Sequence, residues 1–237
     1  MENIKDMFRG VVVVAFDADD TLWENEPLFR EAERKWAGEL ARYGDLESLS
    51  DRLYEVESRN MHDLGYGAKA FGLSLLETAV EVSGGEISGD AVGRILGYVR
   101  EILHNPAIPL PGVEHTLEAL SACGRYRLVL LTKGDLLDQQ RKLERSGLGR
   151  YFSRVVVVSN KTQREYLELC EMEGIRPEEL LMVGNSFKSD IHPALQMGAR
   201  TIFVPFHVVW EHEKLEEYDH TSLLKVSRID DILKYLL

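Results

Sequence analysis

The sequence predicts an α/β protein, a doubly wound parallel sheet with an α-helical unit inserted after its first strand. Three observations carry this reading. Residues 11–16 (VVVVAF) form a continuous apolar run rich in β-branched residues, the pattern of a strand buried on both faces. Residues 27–104 then show helical periodicity and no convincing strand. From residue 109 onward, short apolar runs alternate with helical segments, as in successive βα units.

Taken in order, the first strand runs straight into Asp17, Asp19 and Asp20, followed by Thr21. A strand has no need of carboxylates at its end for folding. An acidic turn with a capping Asp or Thr is the plainer alternative. Three carboxylates beside a buried strand are costly without a partner, however, so a hard cation such as Mg²⁺ is expected among them. Four amphipathic segments follow, at 28–43, 49–61, 69–82 and 88–103, closed by Gly44, by Ser83-Gly84-Gly85 and by Asn105-Pro106. These divide the chain into a core of 1–24 and 107–237 and a helical cap of 25–106. Pro109-Leu110-Pro111-Gly112 turns into a helix at 113–122. Strands are then predicted at 127–131, 155–158, 180–183 and 201–204, making five with the first. Helices are predicted at 138–146, 163–173, 191–197 and 229–237.

Bulk properties narrow the function classes. The 237 residues are long enough for one large domain or a core with a smaller insertion. The net charge of −12 argues against nucleic-acid backbones and anionic membranes as partners. A phosphorylated small molecule is compatible with it, because a bound cation and a local Lys reverse the sign inside a site. Cys123 and Cys170 form no CxxC pair or disulfide framework and read as small buried thiols. The N-terminal MENIKDMFRG lacks the apolar stretch of a signal peptide, and no segment approaches a membrane span. A soluble, cytoplasmic protein is expected.

The strand ends carry the chemistry. Asp17 and Asp19 follow the first strand, and Thr132 with Lys133 and Gly134 follows the second. Lys161 follows the third, and Gly184-Asn185-Ser186 through Asp190 the fourth. Open α/β sheets bind ligands at that carboxyl edge. Carboxylates, a hydroxyl, a Lys and an amide converging there suit phosphoryl transfer, with a carboxylate as nucleophile and cations on the phosphoryl oxygens.

With these residues in place, the chain resembles the haloacid dehalogenase superfamily, and within it the phosphatase branch with an α-helical cap on a Rossmann-like core. Asp17-Ala18-Asp19-Asp20-Thr21 matches the first motif, DxDxT, Thr132 the second, Lys161 the third, and Gly184 to Asp190 lies at the acidic fourth. The resemblance implies that Asp17 attacks phosphorus to form an aspartyl-phosphate. It implies that Asp19 protonates the leaving oxygen and then activates water. It assigns substrate binding to Thr132, Lys133, Gly134 and Lys161. It assigns Mg²⁺ to Asp17, the Asp19 backbone oxygen, Asn185 and Asp190. One departure stands out: the family usually has Asp after the glycine of the fourth motif, where this chain has Asn185, which removes a formal charge from the metal shell.

The remaining candidates read as follows. Lys142, inside a helix with charged neighbours, is expected on a solvated face, and Lys133 either at the pocket rim or on the surface. His207, His212 and His220 lack the spacing of a helical zinc pair and are expected solvated or packed in a loop. Trp23, His62, Tyr66 and Lys69 lie at or in the cap and are open to either substrate contact or cap packing. The leading reading is a Mg²⁺-dependent phosphatase of a small phosphorylated metabolite. Phosphomutase or dehalogenase chemistry and a non-catalytic binding protein are the alternatives. Asp19 speaks against a dehalogenase, since halide leaves without a proton.

Overall fold

The computed structural model describes residues 2–237. Its six strands are β1 (Val13–Phe16), β2 (Arg127–Lys133), β3 (Arg154–Val158), β4 (Leu180–Gly184), β5 (Arg200–Phe203) and β6 (Leu223–Lys225). They form one sheet in the order β3-β2-β1-β4-β5-β6, parallel throughout. The five predicted strands are thus joined by a sixth. At three residues, β6 is too short to show a period in sequence.

β1 is buried along its length because both sheet faces are covered. Val14 and Phe16 pack on one side with Leu117, Leu120 and the C-terminal residues Ile232 and Leu236. Val13 and Ala15 pack on the other with Tyr166, Leu169 and Ala194. Phe16 pairs with Leu130 and Val183, so Asp17 leaves the sheet just below Thr132 and Asn185 on the flanking strands.

The insertion that follows β1 holds four helices, α1 (Glu26–Glu39), α2 (Leu46–Leu64), α3 (Ala68–Val82) and α4 (Gly89–Leu103). Their buried faces make a separate apolar cluster that includes Trp36, Leu40, Leu53, Leu75 and Ile95. The Trp36 indole N–H is satisfied by the Leu75 carbonyl at 3.0 Å. The two crossings into this unit are tied together. Asn105 Nδ2 donates to the Glu24 carbonyl at 2.8 Å, and Leu110 N–H donates to the Leu22 carbonyl at 2.8 Å.

In the core, α5 (Val113–Ala122) precedes β2, α6 (Leu136–Ser146) follows it, and α7 (Gln163–Glu173) follows β3. A π-helical turn at Phe187–Ile191 leads into α8 (His192–Gln196), where one helix over 191–197 was expected. Inserted turns of this type often mark functional sites, and this one carries Asp190. The closing helix expected at 229–237 is a 3₁₀ turn, Ile229–Ile232, followed by α9 (Leu233–Leu236). Cys170 is buried and Cys123 half-buried, and both thiols are free.

Candidate active site

Four strand ends meet at one buried point. Asp17 follows β1, is 7% exposed, and is joined through Oδ1 to Lys161 Nζ. Lys161 also donates to Asp190 Oδ1 at 2.7 Å, and both residues are almost fully buried. Lys161 stands directly before Thr162, which caps α7 through a reciprocal capping box with Glu165. The helix start therefore fixes where the lysine points. Asp190 Oδ2 accepts the Ser186 N–H at 2.9 Å. Gly184 is required for this approach, since a Cβ there would lie 2.6 Å from Asp190 Cβ. Thr132 is buried and lines the same cavity as Asp17, Lys161 and Asn185.

Burial pushes the Asp17 carboxyl up to about 7, with Asp190 adding to the shift and Lys161 opposing it. Desolvation works against the Lys161 ammonium, but Asp17 and Asp190 outweigh it and hold its pKa above the ordinary lysine value.

Asn185 bears on the metal. Asp17 Oδ2, the Asp19 carbonyl oxygen and Thr21 Oγ1 all lie 2.9 to 3.1 Å from one terminal atom of its amide. With the nitrogen turned in, its two N–H groups serve these three oxygens. With the oxygen turned in, only the Thr21 hydroxyl can donate to it, and the Asp17 and Asp19 oxygens face it as bare acceptors. Oxygens about 3 Å apart are also what a small octahedral cation requires, since ligands about 2.1 Å from Mg²⁺ stand about that far from one another. The donor set of one carboxylate, one backbone carbonyl and one amide oxygen fits such an ion. No group of three or more His, Cys, Asp or Glu side chains among the described residues could hold a metal, so a site here depends on the backbone and amide oxygens. Both Asp190 oxygens are already engaged, by Lys161 and by the Ser186 N–H.

The environment of Asp19 differs from expectation. Lys142, expected on a solvated face, is 2% exposed and donates to both Asp19 oxygens at 2.8 Å. Gln139 Nε2 reaches Asp19 Oδ2 and Trp23 Nε1 reaches Asp19 Oδ1, each at 2.8 Å. Lys142 Nζ also donates to Asn25 Oδ1 at 3.1 Å, at the cap crossing. Charged neighbours do not place Lys142 at the surface here. The better signal is that Asp138, Gln139, Lys142 and Leu143 share one buried face of α6, a polar stripe beside an apolar residue. Trp23 is fully buried and so serves the Asp19 carboxylate from within the core.

Gly134 is not among the cavity-lining residues. Its N–H donates to the Val158 carbonyl at 3.1 Å, its φ of +136° favours glycine, and a Cβ there would lie 3.1 Å from Gln139 Nε2. Lys133 does reach the cavity. It forms an ion pair with Glu213, donates to Ser189 Oγ at 3.0 Å and sits 4.2 Å from the centroid of the Tyr66 ring. Lys69 bridges cap to core through Asp135 at 2.9 Å, and His62 is exposed. His212 is buried and packed, while His207 and His220 are exposed. Asp20, at φ +61°, turns its carboxylate onto the Asn25 and Glu26 N–H groups and so caps α1 in place of Asn25. Burial pushes Asp20 up to about 7.

The family model of haloacid dehalogenase-like hydrolases matches residues 11–198. A glyceraldehyde 3-phosphate phosphatase of Pyrococcus furiosus is 23% identical, over 95% of this chain and 94% of the relative. A phosphorylated carbohydrates phosphatase of Thermotoga maritima is 27% identical, over 94% and 99%. Among solved structures, a haloacid dehalogenase-like family hydrolase from Xanthomonas campestris superposes with a TM-score of 0.85 at 33% identity, covering 95% of this chain and 91% of that one. No helix among the described residues is long and apolar enough to cross a membrane.

Proposed function

The chain belongs to the haloacid dehalogenase-like hydrolases, and we propose that within this family it is a phosphatase of small phosphorylated carbohydrates, working through an aspartyl-phosphate. The observation that carries the proposal is the Asp17–Lys161–Asp190 chain at the end of β1. With Asp17 Oδ2 turned towards Asn185 and Thr21, Oδ1 is the atom left to attack phosphorus, and the buried lysine on it passes to the phosphoryl oxygens as the substrate enters. The names of the Pyrococcus and Thermotoga relatives supply the substrate class.

In the first half-reaction an Asp17 oxygen bonds to phosphorus as the bond to the leaving alkoxide breaks. Thr132 and Lys161 hold the non-bridging oxygens where charge is redistributed. Asp19 gives its proton to the leaving oxygen, and in the second half takes one from the water that attacks the aspartyl-phosphate. To do so it must exchange one of its present bonds, from Lys142, Gln139 or Trp23, for the substrate. A divalent metal, Mg²⁺ in this reading, would be held by Asp17 Oδ2, the Asp19 carbonyl and the Asn185 amide oxygen and would supply charge stabilisation to the phosphoryl group. Asp190 holds Lys161 in place. The division into a core of 1–24 and 107–237 and a cap of 25–106 belongs to the same proposal and is supported by the separate apolar clusters of the two parts.

The test is release of phosphate from p-nitrophenyl phosphate and from triose and hexose phosphates, with Mg²⁺ and with chelator. Turnover that requires Mg²⁺ and vanishes in the nearly isosteric Asp17→Asn protein is expected. Undiminished turnover by Asp17→Asn overturns the assignment.

A further inference from the structure

The cavity at Asp17 is not closed by the cap alone. Residues 204–222, between β5 and β6, form a connection long enough to suggest a role of its own, with only a 3₁₀ turn at Glu211–Glu213. This segment is fastened at both ends of the cavity. On the core side Glu213 accepts from Ser186 Oγ and from Ser189 Oγ at 2.6 Å and pairs with Lys133. Burial works against that carboxylate, but Lys133 and the two hydroxyls hold it below the usual glutamate range. Lys188 Nζ adds a bond to the His212 carbonyl at 2.7 Å. On the cap side the His212 ring stacks on Tyr54 at 4.1 Å and 9°, and Arg30 donates to the Val209 carbonyl at 3.2 Å. The Trp210 ring meets Tyr66 edge-on at 5.9 Å.

Between these anchors, Val208, Val209 and Trp210 line the same cavity as Asp17, Thr132 and Lys161. The phosphoryl-binding groups sit at the strand ends, so this apolar stretch is wall for the rest of the substrate. The cavity holds about 150 Å³, well under the roughly 300 Å³ at which pockets for drug-sized ligands begin.

We infer that residues 208–213 are a strap that fixes the size of the leaving group, with Trp210, set against Tyr66, as the specificity-determining residue and Glu213 as the positioning residue that seats the strap. The inference rests on the phosphatase reading and narrows it to phosphate esters of short alcohols, of triose rather than hexose size. Trp210 is half-buried and on an irregular segment, so its truncation opens the wall without emptying a core.

The test compares glycerol 3-phosphate with glucose 6-phosphate in wild type, Trp210→Phe and Trp210→Ala. Trp210→Ala should raise the glucose 6-phosphate to glycerol 3-phosphate ratio of kcat/KM by about tenfold or more, the lower range for size discrimination by a pocket wall. The change should fall mainly in KM, and Trp210→Phe should lie between. Glu213→Gln should shift the ratio in the same sense. A purely structural residue would depress both substrates alike, and an unchanged ratio overturns the strap. Calorimetric binding of both esters to Asp17→Asn and Asp17→Asn/Trp210→Ala gives the same ratio without turnover. If wild type hydrolyses neither ester, the phosphatase reading fails, while the ratio of dissociation constants still decides the strap. Binding of neither ester overturns both.

Discussion

Replacing Asn185 by Asp tests whether the amide faces the metal, and its size can be worked from the site. The amide atom nearest Asp17 Oδ2 is 3.1 Å away, with Asp19 O at 3.1 Å and Thr21 Oγ1 at 2.9 Å. A carboxylate at that point loses the inward N–H donors and sets a second negative charge about 3 Å from the first. At an effective dielectric near 20 the pair repels by up to about 5 kcal/mol, and the neighbouring Lys161 reduces this, leaving roughly 2 kcal/mol of net destabilisation. In a chain of this length about 2 kcal/mol lowers the unfolding midpoint by about 4–8 °C. Asn185→Asp should therefore melt earlier than wild type in chelator and gain more on adding Mg²⁺, because the same charge now attracts a divalent ion. About 2 kcal/mol of added attraction lowers the half-activating Mg²⁺ concentration by on the order of tenfold or more. The assays are thermal unfolding with chelator or Mg²⁺, and a Mg²⁺ titration of phosphate release at saturating substrate. A half-activating concentration that stays the same or rises, with unchanged melting in chelator, would refute the placement of Asn185 against the metal.

Three further outcomes are expected. Asp19→Asn should lose far more activity on alkyl phosphates than on p-nitrophenyl phosphate, whose leaving group needs no proton; equal losses would leave Asp19 a structural role only. Gly184→Ala forces a Cβ into Asp190, which is buried and ion-paired and cannot withdraw, so a loss of about 3–5 kcal/mol in denaturant unfolding is expected. Glu26 is pushed up from 4.5 to about 8, chiefly by burial. A carboxyl raised in the folded state holds its proton there after the unfolded chain has released it, so its contribution to stability falls as pH rises from about 4.5 to about 8, by up to about 1.4 kcal/mol per unit. Glu26→Gln should thus raise the unfolding midpoint at pH 8.5 and leave it nearly unchanged at pH 4.5; equal effects at both would point to packing instead.

What the sequence displays most clearly is what repeats with a period. The apolar runs at β1, β2 and β4 announce a parallel sheet, and a parallel sheet puts Asp17, Thr132, Lys161 and Asn185 on one edge whatever their side chains do. Contacts that depend on a helix rotation or on an irregular segment carry no such signal. Lys142 among charged neighbours looks like solvated surface until α6 is turned so that its polar stripe faces Asp19. Glu213 and Trp210 lie on a segment with neither helical nor strand period, and only its attachments to Tyr54, Tyr66 and Ser189 give it a position. Asp20 reads as one more acid of the motif, whereas its φ of +61° makes it the cap of α1.

The paired crossings into the helical unit have a consequence for how the chain folds. Val13 must find Arg127 before the central strands can form, a separation that makes this pairing slow by loop-closure entropy. The four helices of the insertion make mostly local contacts and can collapse on their own cluster. Because the chain leaves at Glu24 and returns at Asn105, and these two are hydrogen-bonded, a formed helical unit acts as a short bridge in place of a long loop. Shortening the effective loop to about a third removes roughly 1 kcal/mol of closure entropy. The same doorway means that the far ends of the helices can be lengthened without altering the register of β1 against β2, while the near ends reach the nucleophile's cavity through Tyr66 and are tied to the core through Lys69 and Asp135.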